Sequence, residues 1–182
     1  MAVKAARQAK SAKSAKSAKS AKGSPPGGAV EIERKFLVHG EPWRLAESHL
    51  GIVQGYLSTG GRATVRVRVG PEMAWLTVKG PSNGGISRAE FEFTIPRADG
   101  EAMLELCDLV VEKTRHHLQV GSHCWEIDVF EGANHGLVVA EVELDREDEP
   151  FEHPDWLGRE VSFDKRYRNS SLAKRPYSTW DD

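Results

Sequence analysis

The sequence predicts a mainly β (α+β) protein built on an antiparallel sheet or barrel. From residue 30 onward, short runs of alternating apolar and polar residues follow one another, separated by Gly, Pro or Asn turn signals. Three stretches have helical character, too few for a layered α/β fold. The polar faces of the strands are also unusually charged, and the charge is sorted strand by strand.

The elements follow in order. Val30–Val38 reads as the first strand, and Glu41-Pro42 opens a short helix over Trp43–Leu50. Strands are then predicted at Ile52–Ser58, Ala63–Val69, Met73–Lys79 and Ser87–Ile95, with turns at Gly60-Gly61, Gly70-Pro71 and Ser82-Asn83-Gly84-Gly85. Asp99 is suited to cap a helix reaching Cys107, with Met103, Leu104 and Leu106 as its apolar residues. Strands at Leu109–Gln119, Cys124–Phe130 and Val138–Asp145 follow, and a last short helix falls at Ser170–Lys174.

At 182 residues the chain is long enough for one substantial core. Its net charge of −2 hides an asymmetry. Seven of the 25 Lys and Arg, and none of the 27 acids, fall within residues 1–30, so the remainder carries −9. Residues 10–22 repeat Lys-Ser-Ala with nothing to bury, and Gly23-Ser24-Pro25-Pro26-Gly27-Gly28 follows, so residues 1–28 read as a disordered basic tail ahead of a domain at 29–182. The tail glycines lack the strand and the Gly-Lys-Ser/Thr of a phosphate loop.

The acidic domain is not expected to bind nucleic acid specifically; the tail is expected to make at most weak contact with nucleic acid or polyphosphate. Cys107 and Cys124 lack zinc spacing and are expected as reduced thiols. With neither an apolar secretory segment nor a membrane-length run, a cytoplasmic protein without membrane association is expected.

Side chains two apart share a strand face. Glu31, Glu33 and Lys35 therefore line one face of the first strand, Arg66 and Arg68 another, and Lys79 follows with Thr77. Arg88, Glu90 and Glu92 share a face, as do Lys113 and Arg115, Glu126 and Asp128, and Glu141 and Glu143. A solvated sheet face explains any one of these strands. It explains the set less well, because neighbouring surface strands ordinarily mix signs. If the sheet closes with these charges inward, unit charges about 4 Å apart interact by about 4 kcal/mol at an effective dielectric of about 20. Several crowded cations would exceed a typical stability of about 5–15 kcal/mol unless the interior is wet, or holds a polyanion with its metal ions.

These residues stand in segments that resemble the CYTH, or triphosphate tunnel metalloenzyme, superfamily, in particular its short bacterial inorganic triphosphatases. The segments are Glu31-Ile32-Glu33-Arg34-Lys35-Phe36-Leu37-Val38, Gln54-Gly55-Tyr56-Leu57, Val65-Arg66-Val67-Arg68, Leu76-Thr77-Val78-Lys79 and Arg88-Ala89-Glu90-Phe91-Glu92. They continue with Val111-Glu112-Lys113-Thr114-Arg115, Glu126-Ile127-Asp128-Val129-Phe130, Ala140-Glu141-Val142-Glu143 and Asp164-Lys165-Arg166-Tyr167.

The resemblance implies a closed antiparallel eight-stranded β-barrel, a tunnel with a few peripheral helices, that processes triphosphates with Mg²⁺ or Mn²⁺. It implies Glu31, Glu33, Glu141 and Glu143 as metal ligands, with Glu90, Glu92 and Asp128 on lumen-facing strands beside them. Lys35, Arg66, Arg68, Lys79, Lys113, Arg115 and Lys165 or Arg166 would bind the triphosphate. Arginines suit bidentate clamping of phosphate oxygens and lysines act as point charges. A lumen carboxylate, or a lysine of lowered pKa among other cations, can orient or deprotonate the attacking water; Lys113 is the candidate lysine, beside Glu31 and Glu33 as catalytic residues.

The expected reaction is hydrolysis of inorganic tripolyphosphate to pyrophosphate and phosphate by a monomer or homodimer. Nucleoside or thiamine triphosphatase and class IV adenylate cyclase activities are the alternatives, as is a polyphosphate-binding module without catalysis. Within the matching strands nothing looks dedicated to a nucleobase.

Overall fold

The computed structural model describes residues 29–81 and 85–180. The expected tail and part of the Ser82–Gly85 turn lie outside the described residues. Among the described residues nine strands form: β1 (Ala29–Val38), β2 (Ser48–Ser58), β3 (Thr64–Val69), β4 (Ala74–Lys79), β5 (Ser87–Ile95), β6 (Val110–Val120), β7 (His123–Phe130), β8 (Val138–Glu143) and β9 (Leu157–Glu160). Two α-helices accompany them, α1 (Arg97–Leu104) and α2 (Asn169–Lys174).

The sheet order is β5-β4-β3-β2-β6-β7-β8-β1, and β5 pairs in turn with β1, so eight antiparallel strands close into a ring. Closure depends on β1 dividing its edges. Ala29–Ile32 meet β5, Glu33–Leu37 meet β8 on the opposite edge, and β9 takes the β5-side edge at Phe36–Val38. Strand β9 carries no sequence signal, because Leu-Gly-Arg-Glu is short and does not alternate.

Two other elements differ from expectation. The stretch expected as a helix over Trp43–Leu50 holds only a 3₁₀ turn at Pro42–Leu45, since Ser48–Leu50 pair with Arg115–His117 and extend β2. Helix α1 starts after Pro96, so Asp99 stands inside its first turn and makes no cap. A negative side chain there still favours the helix N-terminus.

The period of two sorts each strand between an outer apolar face and an inner one. Outside β1, β7 and β8, Phe36, Trp125, Ile127, Ala140 and Val142 are buried beneath Phe151 and Trp156. Outside β3 and β4, Val67, Val69 and Ala74 are covered by α1. Helix α1 lies close because Gly100 faces the sheet: a Cβ there would stand 2.3 Å from that of Ala74.

The inner face is apolar at one end only. Val111, Phe130 and Val139 share the inner faces of β6, β7 and β8 with the charged residues, and they pack against Val161, Tyr167 and Leu172 of the returning C-terminal segment. Leu172 is fully buried in this cluster. Leu172→Ala is expected to lower unfolding stability by about 2–5 kcal/mol, through lost transfer energy and the cavity left behind. Urea denaturation should show a lower midpoint at an unchanged slope.

Candidate active site

Beyond the apolar end, the ring encloses a cavity of about 840 Å³ lined by alternating charges. Strand β1 supplies Glu31, Glu33 and Lys35, as the alternation required. Lys79 on β4 reaches both oxygens of Glu31, at 2.7 and 2.8 Å, and lies 2.9 Å from Glu90. Arg88 Nε donates to Glu31 at 2.9 Å, and Arg66 stands 3.5 Å from Glu90. Arg68 pairs with Glu92, which also accepts from Thr77 at 3.0 Å.

A second network starts at Lys35, whose ammonium lies 2.6 Å from Glu141. Arg115 Nη2 donates to Glu141 at 2.8 Å, and its Nε and Nη2 grip Asp128 at 2.7 Å each. Arg115 also pairs with Glu126, and Lys113 with Asp128.

Cross-strand register brings opposite charges together at Arg115 and Asp128, Lys79 and Glu90, Glu31 and Arg88, and Lys35 and Glu141. It also sets acid opposite acid twice, Glu126 against Glu141 and Glu33 against Glu143. Like charges directly opposite are destabilising. Arg115 bridges the first pair. At the second, Glu33 has Lys35 only at 3.6 Å, and burial together with the nearby Glu141 raises its pKa above the ordinary carboxylate value.

The remaining titrations follow the same logic. Burial works against Glu141 ionising, but Lys35 and Arg115 hold its carboxyl well below the usual range. Lys35 is raised, because Glu141 and Glu33 outweigh its burial. Lys79 is lowered by burial and by Arg66, in spite of Glu31. Burial pushes the Tyr56 phenol up to about 12. Its hydroxyl lies in the cavity wall and accepts from the buried Gln54 amide at 2.8 Å.

Eleven residues expected at the site line this cavity: Glu31, Glu33, Lys35, Arg66, Arg68, Lys79, Glu90, Glu92, Arg115, Glu141 and Glu143. Lys113 and Asp128 do not. Their side chains are 1% and 0% exposed, and they sit one layer below the wall, with the Lys113 ammonium 5.7 Å from the Phe130 ring centre. Lys113, the candidate for activating water, thus pairs with Asp128, which in turn holds Arg115.

Lys165 and Arg166 border a separate small cleft with Trp180. Asp164 accepts from the Arg166 backbone N–H and pairs with its guanidinium at 2.7 Å, which turns that side chain outward over Trp180. From the same segment, Arg168 reaches the cavity instead. Arg88 was visible to the alternation as a neighbour of Glu90 and Glu92. No local signal marked Arg168, and Gln54 and Tyr56 stood in a segment of the family resemblance without an assigned role.

Oxygen donors on adjoining strands suit a hard divalent cation. Among the described residues, no three His, Cys, Asp or Glu stand in a ready-made metal geometry, because the carboxylates are turned onto lysine and arginine. The donor set fits a metal by its chemistry, with Glu31, Glu33, Glu141 and Glu143 as the residues that would hold it.

Burial, with the Arg115 charge next, lowers Lys113 from 10.5 to about 8, against the pull of Asp128. Between these values the unfolded chain binds more protons than the folded one, so the Lys113 contribution makes stability rise with pH. Urea unfolding between pH 8 and 10 should show a positive slope for the native chain relative to Lys113→Met. Parallel profiles for the two proteins would contradict the assignment.

Comparison with known proteins agrees with this geometry. A CYTH domain model matches residues 29–177. An inorganic triphosphatase of Acetivibrio thermocellus is 45% identical over 154 residues, covering 84% of this chain and 98% of that protein. An inorganic triphosphatase of Nitrosomonas europaea is 39% identical over 150 residues, covering 79% and 97%. The crystal structure of an inorganic triphosphatase superposes with a TM-score of 0.57 at 34% identity, covering 79% of this chain and 93% of that one. Triphosphatases of this family are metal-dependent. This chain belongs to the CYTH domain family.

Proposed function

We propose that this protein hydrolyses inorganic tripolyphosphate to pyrophosphate and phosphate inside the ring, with Mg²⁺ or Mn²⁺ as cofactor. The carrying observation is the interleaving of a carboxylate corner with a ring of buried cations in one enclosed cavity. Arg66 and Arg68 each retain a buried Nε with no hydrogen-bond partner among the described residues, a costly arrangement that a phosphate oxygen would relieve. Relatives bearing the inorganic triphosphatase name, matched over nearly their whole length, support the same reading.

Lys35, Arg66, Arg68, Lys79 and Arg115 would clamp the phosphate oxygens, with Arg88 and Arg168 available at the wall. Glu31, Glu33, Glu141 and Glu143 would hold the cation, which would supply positive charge to offset the charge growing on the leaving pyrophosphate. Water attacks the terminal phosphorus in line. The wall carboxylates and Lys79 are the groups placed to orient it, while Lys113, below the wall, keeps Arg115 in position through Asp128.

One observation favours a second reading. Phe91 and Phe93 are exposed at the cavity rim and offer faces on which a base could stack, as a nucleoside triphosphatase would need. Phosphate release from tripolyphosphate, ATP and thiamine triphosphate, with and without Mg²⁺ or Mn²⁺, separates the two. Strong metal-dependent release from tripolyphosphate and weak release from ATP is expected; faster turnover of ATP would favour the second reading. Cyclic AMP with pyrophosphate from ATP would place the protein among cyclases.

Replacing Glu31 and Glu33 together by Gln should lower kcat by at least about 10²-fold while tripolyphosphate remains bound. A module that only binds would hold the anion as well or better and would show no turnover to lose.

A further inference from the structure

The C-terminal segment that packs against the apolar end of the ring also supplies part of the cavity wall. Tyr167 and Leu172 belong to the apolar cluster there, together with Val111, Phe130 and Val139. The residues between them, Arg168, Asn169 and Ser170, line the cavity. They form its floor, whereas Phe91 and Phe93 stand exposed at the rim.

Asn169 brings an unpaired acceptor to this floor. Its Oδ1 is buried and has no hydrogen-bond partner among the described residues. Near the start of a helix such an oxygen ordinarily accepts from a backbone N–H. Here the Ser171 and Leu172 N–H groups already donate to the Arg168 carbonyl, at 2.8 and 2.9 Å. A buried acceptor left without a donor is costly, so the position favours whatever donor the reaction brings. Tripolyphosphate is not that donor, because its ionised oxygens only accept; Arg168, the next residue, is the one suited to them. Water is.

The direction of attack leads to the same place. A linear triphosphate entering past the rim has its terminal phosphate nearest the floor and its leaving pyrophosphate toward the rim. In-line displacement puts the attacking water opposite the leaving group, between the terminal phosphorus and residues 168–170.

We infer that the Asn169 amide oxygen orients the water that attacks the terminal phosphorus. The inference rests on the proposed triphosphatase reading and adds a residue to it. The bond from the water oxygen to phosphorus forms as the bond from phosphorus to the pyrophosphate oxygen breaks. One hydrogen of the water stays on the phosphate formed, and the other leaves as a proton to a carboxylate of the wall. Asn169 accepts a hydrogen bond and takes no proton, since an amide oxygen is too weakly basic. Its contribution is orientation, and it makes it without the charge with which a carboxylate would repel the phosphate.

The test uses the full chain with Asn169→Leu or Asn169→Asp. For each, kcat and KM for tripolyphosphate are measured with Mg²⁺, tripolyphosphate binding is measured in EDTA, and stability is measured in urea. Asn169→Leu should lower kcat by at least about tenfold. Binding in EDTA should stay within about threefold of native, since the lost contact is to water and not to the phosphate. The urea midpoint should hold or rise, because an apolar group of similar shape replaces an unpaired acceptor. Asn169→Asp restores an acceptor, so its kcat should exceed that of the Leu variant while its KM rises through repulsion of the phosphate. Native kcat in Asn169→Leu, or a raised KM alone, would overturn the inference. A lowered midpoint or failure to fold, with the Asp variant no more active than the Leu variant, would make Asn169 structural and overturn it equally. If the native chain releases no phosphate from tripolyphosphate, the triphosphatase reading falls and takes this inference with it; native turnover beside an unaffected Leu variant removes this inference alone.

Discussion

The grip of Arg115 on Asp128 and Glu141 is the constraint around which the interior is built. Arg115 stands on β6, Asp128 on β7 and Glu141 on β8, so three consecutive strands of the ring meet in one set of ion pairs. Lys35 then ties Glu141 to β1, the strand through which the ring closes. Removing one member would leave its partners charged and buried, a far larger penalty than losing the pair as a whole. The arrangement is therefore cooperative: each charge is tolerable only because the next is present. Lys113 illustrates the tension. Burial and the Arg115 charge make its proton easier to lose, yet Asp128 keeps it useful as a brace.

How such an interior balances its charges differs from the sequence expectation. Sorting of charge by strand suggested a crowd of cations needing water or a polyanion for relief. Strand order answers this differently. The basic strand β6 lies beside the acidic strand β7, and Lys79 on β4 lies opposite Glu90 on β5, so opposite charges neutralise each other across the ladder. The sorting was legible; the adjacency was not, because it depends on which strands pair.

The same division holds elsewhere. Period-two alternation placed Glu31, Glu33, Lys35, Arg66, Arg68 and Lys79 on inner faces, since a strand offers a side chain only two directions. Where the chain leaves a regular strand this rule lapses. Lys165, Arg166 and Arg168 lie within four consecutive residues, and a 3₁₀ turn capped by Asp164 decides which of them faces inward. Short β9 and the non-helical Trp43–Leu50 stretch failed for a related reason: pairing with β1 and β6 overrode weak local preference.

An interior of paired charges is also a store of ligands for both halves of a metal–phosphate complex. Every carboxylate released toward a divalent cation frees a lysine or arginine for a phosphate oxygen, so binding exchanges partners and leaves no charge uncompensated. Glu31 with Lys79, and Glu141 with Lys35 and Arg115, are pairs of this kind. An uncharged cavity would have to strip water from metal and phosphate with little to offer in return. A purely basic one would repel the metal. On this view the ion pairs that hold the ring closed are the same ones that the substrate complex would take over, and the folded state is already arranged for that substitution.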